Sequence, residues 1–358
     1  MRTMWKWWQL YYILQIFVLA TGRKFALGTP FNTMLFRALR EWSFDAFGWT
    51  GTEEKYLQIA RKANKMQKIV PDDVPFPCNV TSGRSPKVPT SVHKLRPGDI
   101  DVIAAMGDSL TAGAGIFANN VFQIAVENRG VTAAGGGQGT WREYLTLPNI
   151  LKFVSLMIGS NDFCSKICWV SSPWSTLETH KTDLLKVLRT LRDNLPRTFV
   201  ALILPPHLKA LVDTRKGRST FTCFVTTDIE CSCLFGSSFR RFKPLYYNIM
   251  SQWQKLDMEI ATYPEFQRDD FAVVSEPILA NVTIPLASDG YADMTYLSSD
   301  CFHVTQKTNA LYANGLWNNL FEPVSAKTMT WETLFHKFHC PTPERPYLTT
   351  MLNSQCSY

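Results

Sequence analysis

At 358 residues, 46% hydrophobic and 19% charged, the chain has the composition of a globular protein, with length for one good core plus extensions. Its net charge of +7 comes from 37 Lys and Arg against 30 Asp and Glu. The basic residues fall in short pairs such as Arg23-Lys24, Arg61-Lys62 and Arg240-Arg241, without the density of a nucleic-acid footprint. A solvated basic surface is expected, with a weak preference for anionic surfaces such as lipid head groups.

In chain order, Arg2 and Lys6 precede the apolar run LYYILQIFVLA, and Ala20-Thr21-Gly22 follows with the small residues of a cleavage site. Residues 1–22 are expected to be a signal peptide and the mature chain to be secreted. The run is shorter than the roughly 18 residues of a spanning helix. Trp5, Trp7 and Trp8 extend its apolar character and make an uncleaved membrane anchor the alternative. Two sequons, Asn79-Val80-Thr81 and Asn281-Val282-Thr283, fit lumenal exposure and mark Asn79 and Asn281 as glycosylation sites. Nine cysteines suit an oxidising compartment, and their odd number leaves at least one unpaired within the chain. Neither CSC at 231–233 nor HKFHC at 336–340 has the paired spacing of a structural zinc site, so no metal and no cofactor are expected.

Residues 23–75 read as a lead-in with one helix over 53–67, and the Pro-, Ser- and Thr-rich stretch 71–99 as an extended surface segment. The catalytic domain is expected over 76–325, with a C-terminal extension over 326–358. Four short, continuously apolar runs, IDVIAAMG, FVSLMIG, TFVALILPP and DFAVVSEPIL, have the character of parallel strands buried on both faces. Helical spacing is evident at Leu177, Leu184, Leu188, Leu191 and Leu195, again at Tyr246, Ile249, Met250, Trp253 and Met258, and a C-terminal helix is expected near 307–320. His180, on the first of these, is expected at the surface. Strands alternating with helices predict an α/β fold with a three-layer, doubly wound parallel sheet.

Chemistry in such a sheet lies beyond the carboxyl ends of the strands. Three polar clusters occur there or can reach there: Gly107-Asp108-Ser109-Leu110, Gly159-Ser160-Asn161-Asp162 and Asp300-Cys301-Phe302-His303. A serine on a strand-to-helix turn becomes a nucleophile when a base lies within hydrogen-bond reach, and the turn's backbone N–H groups can stabilise an oxyanion. Asp300, three residues before His303, can hold that imidazole in one tautomer. The Asn161 amide can donate to the same oxyanion. Taken singly, each cluster is ordinary turn or helix-cap chemistry; their joint order argues for a site, with a base titrating near pH 6–7, the usual histidine range.

GDSL, GSND and DCFH resemble the blocks of the GDSL or SGNH hydrolases, whose sheet is flavodoxin-like. The longer strings FPCNVTSGRSPKVPTSVHKLRPGDIDVIAAMGDSLTAG, GGGQGTWREYLTLPNIL and IGSNDFC are similar to the phospholipase B branch, over about Pro75 to Pro323. The resemblance implies metal-independent hydrolysis of fatty acyl esters of phospholipids or lysophospholipids. It implies Ser109 as nucleophile, Asp300 and His303 as the rest of the triad, and Ser109 with Asn161 as oxyanion donors. The protein would be a monomer that touches membrane surfaces peripherally and binds no nucleic acid.

The chain departs from that pattern in one place. Family members carry, between the serine and asparagine blocks, a segment with a strand, helices and a glycine whose N–H completes the oxyanion hole; here TWREYLTLPNIL runs directly into KFVSLMIGSND. Between Pro148 and the next strand there is no room for a helix and a 2- to 6-residue connection. The sheet is therefore expected to lack one edge strand; GGGQG at 135–139 offers N–H groups as a substitute, but it matches another stretch of the family, and that rescue is the less favoured reading. A weak or inactive lipid-binding relative is the alternative function. Cys164 and Cys168, which follow Asn161, are expected to form a local bridge that stiffens its loop, with Cys301 as the competing partner.

Overall fold

A computed structural model describes Ala38, Trp42 and residues 53–354, apart from Val80, Ser82, residues 150–153, Pro196 and Ser219. The signal segment with its alternative anchor, most of the lead-in before residue 53, the junction after Asn149 and Cys356 lie outside the described residues. No helix of the described residues is long and apolar enough to cross a membrane.

The principal elements are α1 (Glu54–Lys62), β1 (Ala104–Gly107), α2 (Ser109–Ala112), β2 (Val154–Met157), α3 (Ser160–Ser165), α4 (Ser175–Asn194) and β3 (Thr198–Ile203). They continue with α5 (Lys209–Thr214), α6 (Phe221–Glu230), α7 (Lys243–Ala261), β4 (Gln267–Arg268), β5 (Phe271–Glu276) and α8 (Gln306–Asn319). The sheet order is β1-β2-β3-β5-β4. β1, β2, β3 and β5 are parallel, with Gly107 beside Met157, Leu156 beside Leu202 and Ala201 beside Val274, and the two-residue β4 runs antiparallel at the far edge.

The three layers follow from the period-two alternation of β3. Phe199, Ala201 and Ile203 face Ala310, Ala313, Leu316 and Trp317 of α8. Val200 and Leu202 point the other way, to Leu184 and Leu188 of α4 and Ile260 of α7. α1 stops short of the expected 53–67 because Asn64 turns left-handed at φ 54°, which asparagine tolerates, and Lys65 N–H closes back on Ala60 O at 3.0 Å.

Among the described residues the sheet ends at β1, so the nucleophile candidate follows an edge strand. Ala104 is exposed and Val102 is 74% exposed just before it. The segment after residue 326 packs onto the same core. Trp331, Leu334, Phe335 and Phe338 lie against the α8 side, Leu348 is fully buried, and Cys78 is bonded to Cys340 across 262 residues.

The expected Cys164–Cys168 bridge is corrected. Cys164 is bonded to Cys231 and Cys168 to Cys233, while Cys301 is bonded to Cys223. Cys164 sits in α3 and Cys168 in the turn that follows it. Both reach the Cys231–Cys233 turn packed against them, in a cluster with Phe163, Ile167 and Trp253. His180 is not at the surface either. It is buried, bonded through Nε2 to Asp257 at 2.5 Å and stacked on Trp253 with ring centroids 3.7 Å apart. The flat indole of α7 covers a helix position that periodicity alone assigns to solvent.

Candidate active site

The turn after β1 is built around a missing side chain. A Cβ on Gly107 would lie 2.7 Å from the Met157 carbonyl oxygen on the paired strand and would collide with the Thr111 hydroxyl. Asp108 caps α2 by accepting the Leu110 N–H at 3.0 Å, and Ser109 opens the helix. Burial pushes the Asp108 carboxyl above its usual pKa.

The second half of the site is a loop pinned at several points. Leu297 and Val304 bridge its two ends, and Ser298 N–H donates to His303 O at 2.7 Å. The hydroxyls of Ser298 and Ser299 donate to Gly115 O and Ala118 O, at 2.6 and 2.8 Å, in the segment after α2. Within the loop, Asp300 Oδ1 accepts the N–H groups of Phe302 and His303 at 2.9 and 3.0 Å, and Asp300 Oδ2 lies 2.6 Å from His303 Nδ1. His303 Nε2 lies 2.8 Å from Ser109 Oγ. With Nδ1–H donating to the carboxylate, Nε2 is left to accept the serine proton. The sequence-predicted Ser109, Asp300 and His303 are thus in one hydrogen-bonded chain, although 191 residues of sequence separate Ser109 from Asp300.

The carboxylates set the charge state. Asp300 is fully buried, which works against ionisation, but the His303 charge and three hydrogen bonds hold it below the usual carboxylate range. Burial likewise works against a charged His303. Asp300 outweighs it, with Glu230 and Asp108 adding to the effect, and lifts the imidazole to about 9. The structure therefore moves the base out of the ordinary histidine range expected from sequence.

Glu230, at the end of α6, is the residue that sequence reasoning missed. Its carboxylate, that of Asp300 and a nitrogen of His303 lie within 4.8 Å of one another, and burial with the nearby Asp300 charge pushes Glu230 up to about 8. Nothing in its TTDIECSC context sets it apart. It arrives because Cys223 is bonded to Cys301 and the Thr226 hydroxyl donates to Asp300 O at 2.7 Å, fastening α6 under the loop.

These couplings give a testable pH dependence. A rate that needs neutral His303 should climb as pH rises through about 9. Glu230→Gln should move that acid limb to lower pH, because His303 loses a negative charge that holds its proton. A kcat/KM profile with an unmoved limb would rule out the coupling.

Ser109 lies on the wall of a cleft lined mostly by apolar side chains, among them Leu110, Leu208, Leu211, Val282, Ile284, Phe302 and Trp331. Ser160 also lines it, whereas Asn161, one residue on in α3, is exposed. Residues 135–139 do not line the cleft; Gly135 and Gly136 pack instead against Ala105 and the Gly130–Thr132 turn. Cys231, Cys233 and Cys340 are all in disulfides.

Residues 148–316 match the GDSL-like lipase/acylhydrolase family model, a stretch that holds Asn161, Asp300 and His303. The chain is 30% identical to membrane-associated phospholipase B1 of Rattus norvegicus over 369 residues, covering 85% of this chain and 25% of that protein. The Homo sapiens protein of the same name is 30% identical over 367 residues, with 84% and 25% covered. The chain belongs to the GDSL hydrolase family, in its phospholipase B branch. It spans about a quarter of the length of these relatives. The mostly parallel sheet brings the GDSL, GSND and DCFH blocks to one edge, at the carboxyl ends of β1 and β2 and on the loop before α8.

Proposed function

We propose that this protein is a secreted serine esterase that hydrolyses fatty acyl ester bonds of phospholipids or lysophospholipids. The observation that carries the reading is the Ser109–His303–Asp300 hydrogen-bonded chain on the wall of an apolar cleft. Ser109 Oγ attacks the acyl carbonyl as His303 Nε2 takes its proton. The tetrahedral oxyanion collapses to an acyl-enzyme while His303 returns that proton to the departing alcohol. Water, deprotonated by the same imidazole, then releases the fatty acid. Asp300 keeps Nδ1 protonated and supports the imidazolium, and the cleft receives the acyl chain.

The Ser109 N–H, in the first turn of α2, and the Asn161 amide serve the oxyanion. Asn161 is exposed, so water competes for its amide, and this favours the second reading, a weak or silent lipid-binding relative. A lost oxyanion donor lowers turnover by about 10²- to 10³-fold. Asn79 and Asn281 are both exposed, which supports their glycosylation and export.

Fatty acid release by the purified protein from lysophosphatidylcholine and from diacyl phosphatidylcholine tests the proposal. Release from either is expected, unchanged by EDTA. No release from a folded sample supports the silent reading. A rate lost to EDTA and restored by zinc or calcium overturns the metal-independent mechanism.

A further inference from the structure

The helix that fastens the His303 loop carries an apolar face that no other described residue covers. Cys223 and Thr227 of α6 are buried toward the loop, while Phe221, Phe224, Val225 and Ile229 on the other side are 83%, 55%, 37% and 50% exposed. Three turns of helix thus present large apolar side chains to water, with the half-buried Asp228 among them.

This surface is continuous with the approach to the cleft. Arg218, three residues before α6, donates to Ala292 O at 3.0 Å and pairs with Asp289 at 2.7 Å, drawing in the 286–291 loop. In that loop Leu286 is 70% and Tyr291 48% exposed, and Ile284 just ahead of it lines the cleft. In the first turn of α6, Cys223 is bonded to Cys301, the neighbour of the cleft residue Phe302.

The flank is basic. Arg215 lies over the rings of Phe224 and Phe235, at 5.7 and 4.9 Å. Beside it, Lys243 is held below its usual pKa by burial and by the like charges of Arg240 and Arg215. Arg240 and Arg241 are exposed, and neither they nor Lys243 has a carboxylate partner among the described residues. An apolar helix face bordered by Arg240, Arg241 and Lys243 matches a lipid layer with anionic head groups, in both hydrophobicity and charge.

We infer that α6 and the 286–291 loop form an interfacial surface that seats the protein on an anionic lipid layer, with Phe221, Phe224 and Ile229 entering the acyl region and Arg240, Arg241 and Lys243 meeting phosphates. The inference rests on the proposed lipid-ester function, and it makes the helix that positions the catalytic loop also the one that meets the lipid.

The test separates binding from chemistry. With Ser109→Ala as background, the protein is sedimented with phosphatidylcholine vesicles, with and without phosphatidylglycerol. It should partition onto the anionic vesicles, and Phe221→Ser, Phe224→Ser and Ile229→Ser together should weaken that at least about tenfold. With Ser109 intact, the triple variant should hydrolyse a soluble short-chain ester at the parental rate and lose activity on vesicles. Equal partitioning of variant and parent overturns the inference, as does a parent that stays in the supernatant. So does a concentration-dependent dimer without vesicle binding that the triple variant abolishes. Failure of the wild-type protein on the soluble ester would instead strike the proposed function, leaving the vesicle result standing on its own.

Discussion

Ser109→Ala is expected to lower ester hydrolysis by about 10⁴- to 10⁶-fold, the range for a nucleophile whose partners act as a unit with it. His303→Ala should fall in the same range. Because the three groups form one chain, with 2.8 Å from Ser109 to His303 and 2.6 Å from His303 to Asp300, the double variant should be no slower than either single one. Asp300→Asn leaves the shape intact but reverses the favoured tautomer, for a loss of about 10⁴-fold. A fluorophosphonate probe should label Ser109, found by peptide mapping, and label nothing in Ser109→Ala. Labelling at another serine in the folded protein would remove Ser109 from the mechanism, and additive losses in the double variant would break the unit.

The largest expected effect on stability lies away from the chemistry. Lys327 Nζ is 2.6 Å from Glu276 Oε2 and 2.6 Å from Asn319 O, with its side chain 2% exposed and that of Glu276 fully buried at the end of β5. Lys327→Met would leave a buried carboxylate without its cation, at a cost of about 3–5 kcal/mol near neutral pH. Burial raises Glu276 to about 7, against the opposing pull of Lys327. A carboxyl with a raised folded pKa contributes its stability fully below the unfolded value of about 4.3, and loses it as pH rises through the folded one. Without Lys327 the folded value rises further. The variant's deficit in urea unfolding should therefore be large at pH 8 and shrink toward pH 5, and adding Glu276→Gln should restore part of it at pH 8. A deficit independent of pH would mean that Lys327 acts through packing alone.

Among the described residues, the sequence by itself determined the layered α/β architecture and the three motif blocks. Those features are local: apolar runs four to six residues long, leucines at helical spacing, and glycine at a position where any Cβ would strike Met157 O. Parallel strands then bring their carboxyl ends to one edge whatever the loops between them do, so Ser109 and the Asp300–His303 pair were legible in the sequence as one cluster. The short interval after Pro148, set beside the family resemblance, pointed to a missing edge strand, and among the described residues the sheet ends at β1.

What only the tertiary structure decided depends on which surfaces meet. Disulfide pairing follows Cα separations such as the 5.3 Å between Cys223 and Cys301, across 78 residues of chain, and spacing along the sequence cannot express that. His180 became a core residue because Trp253 stacked on it. Glu230 entered the candidate site because α6 is bonded beneath the Asp300–His303 loop. The basicity of His303 likewise comes from charges on three separate elements, gathered where burial strengthens their effect on one another.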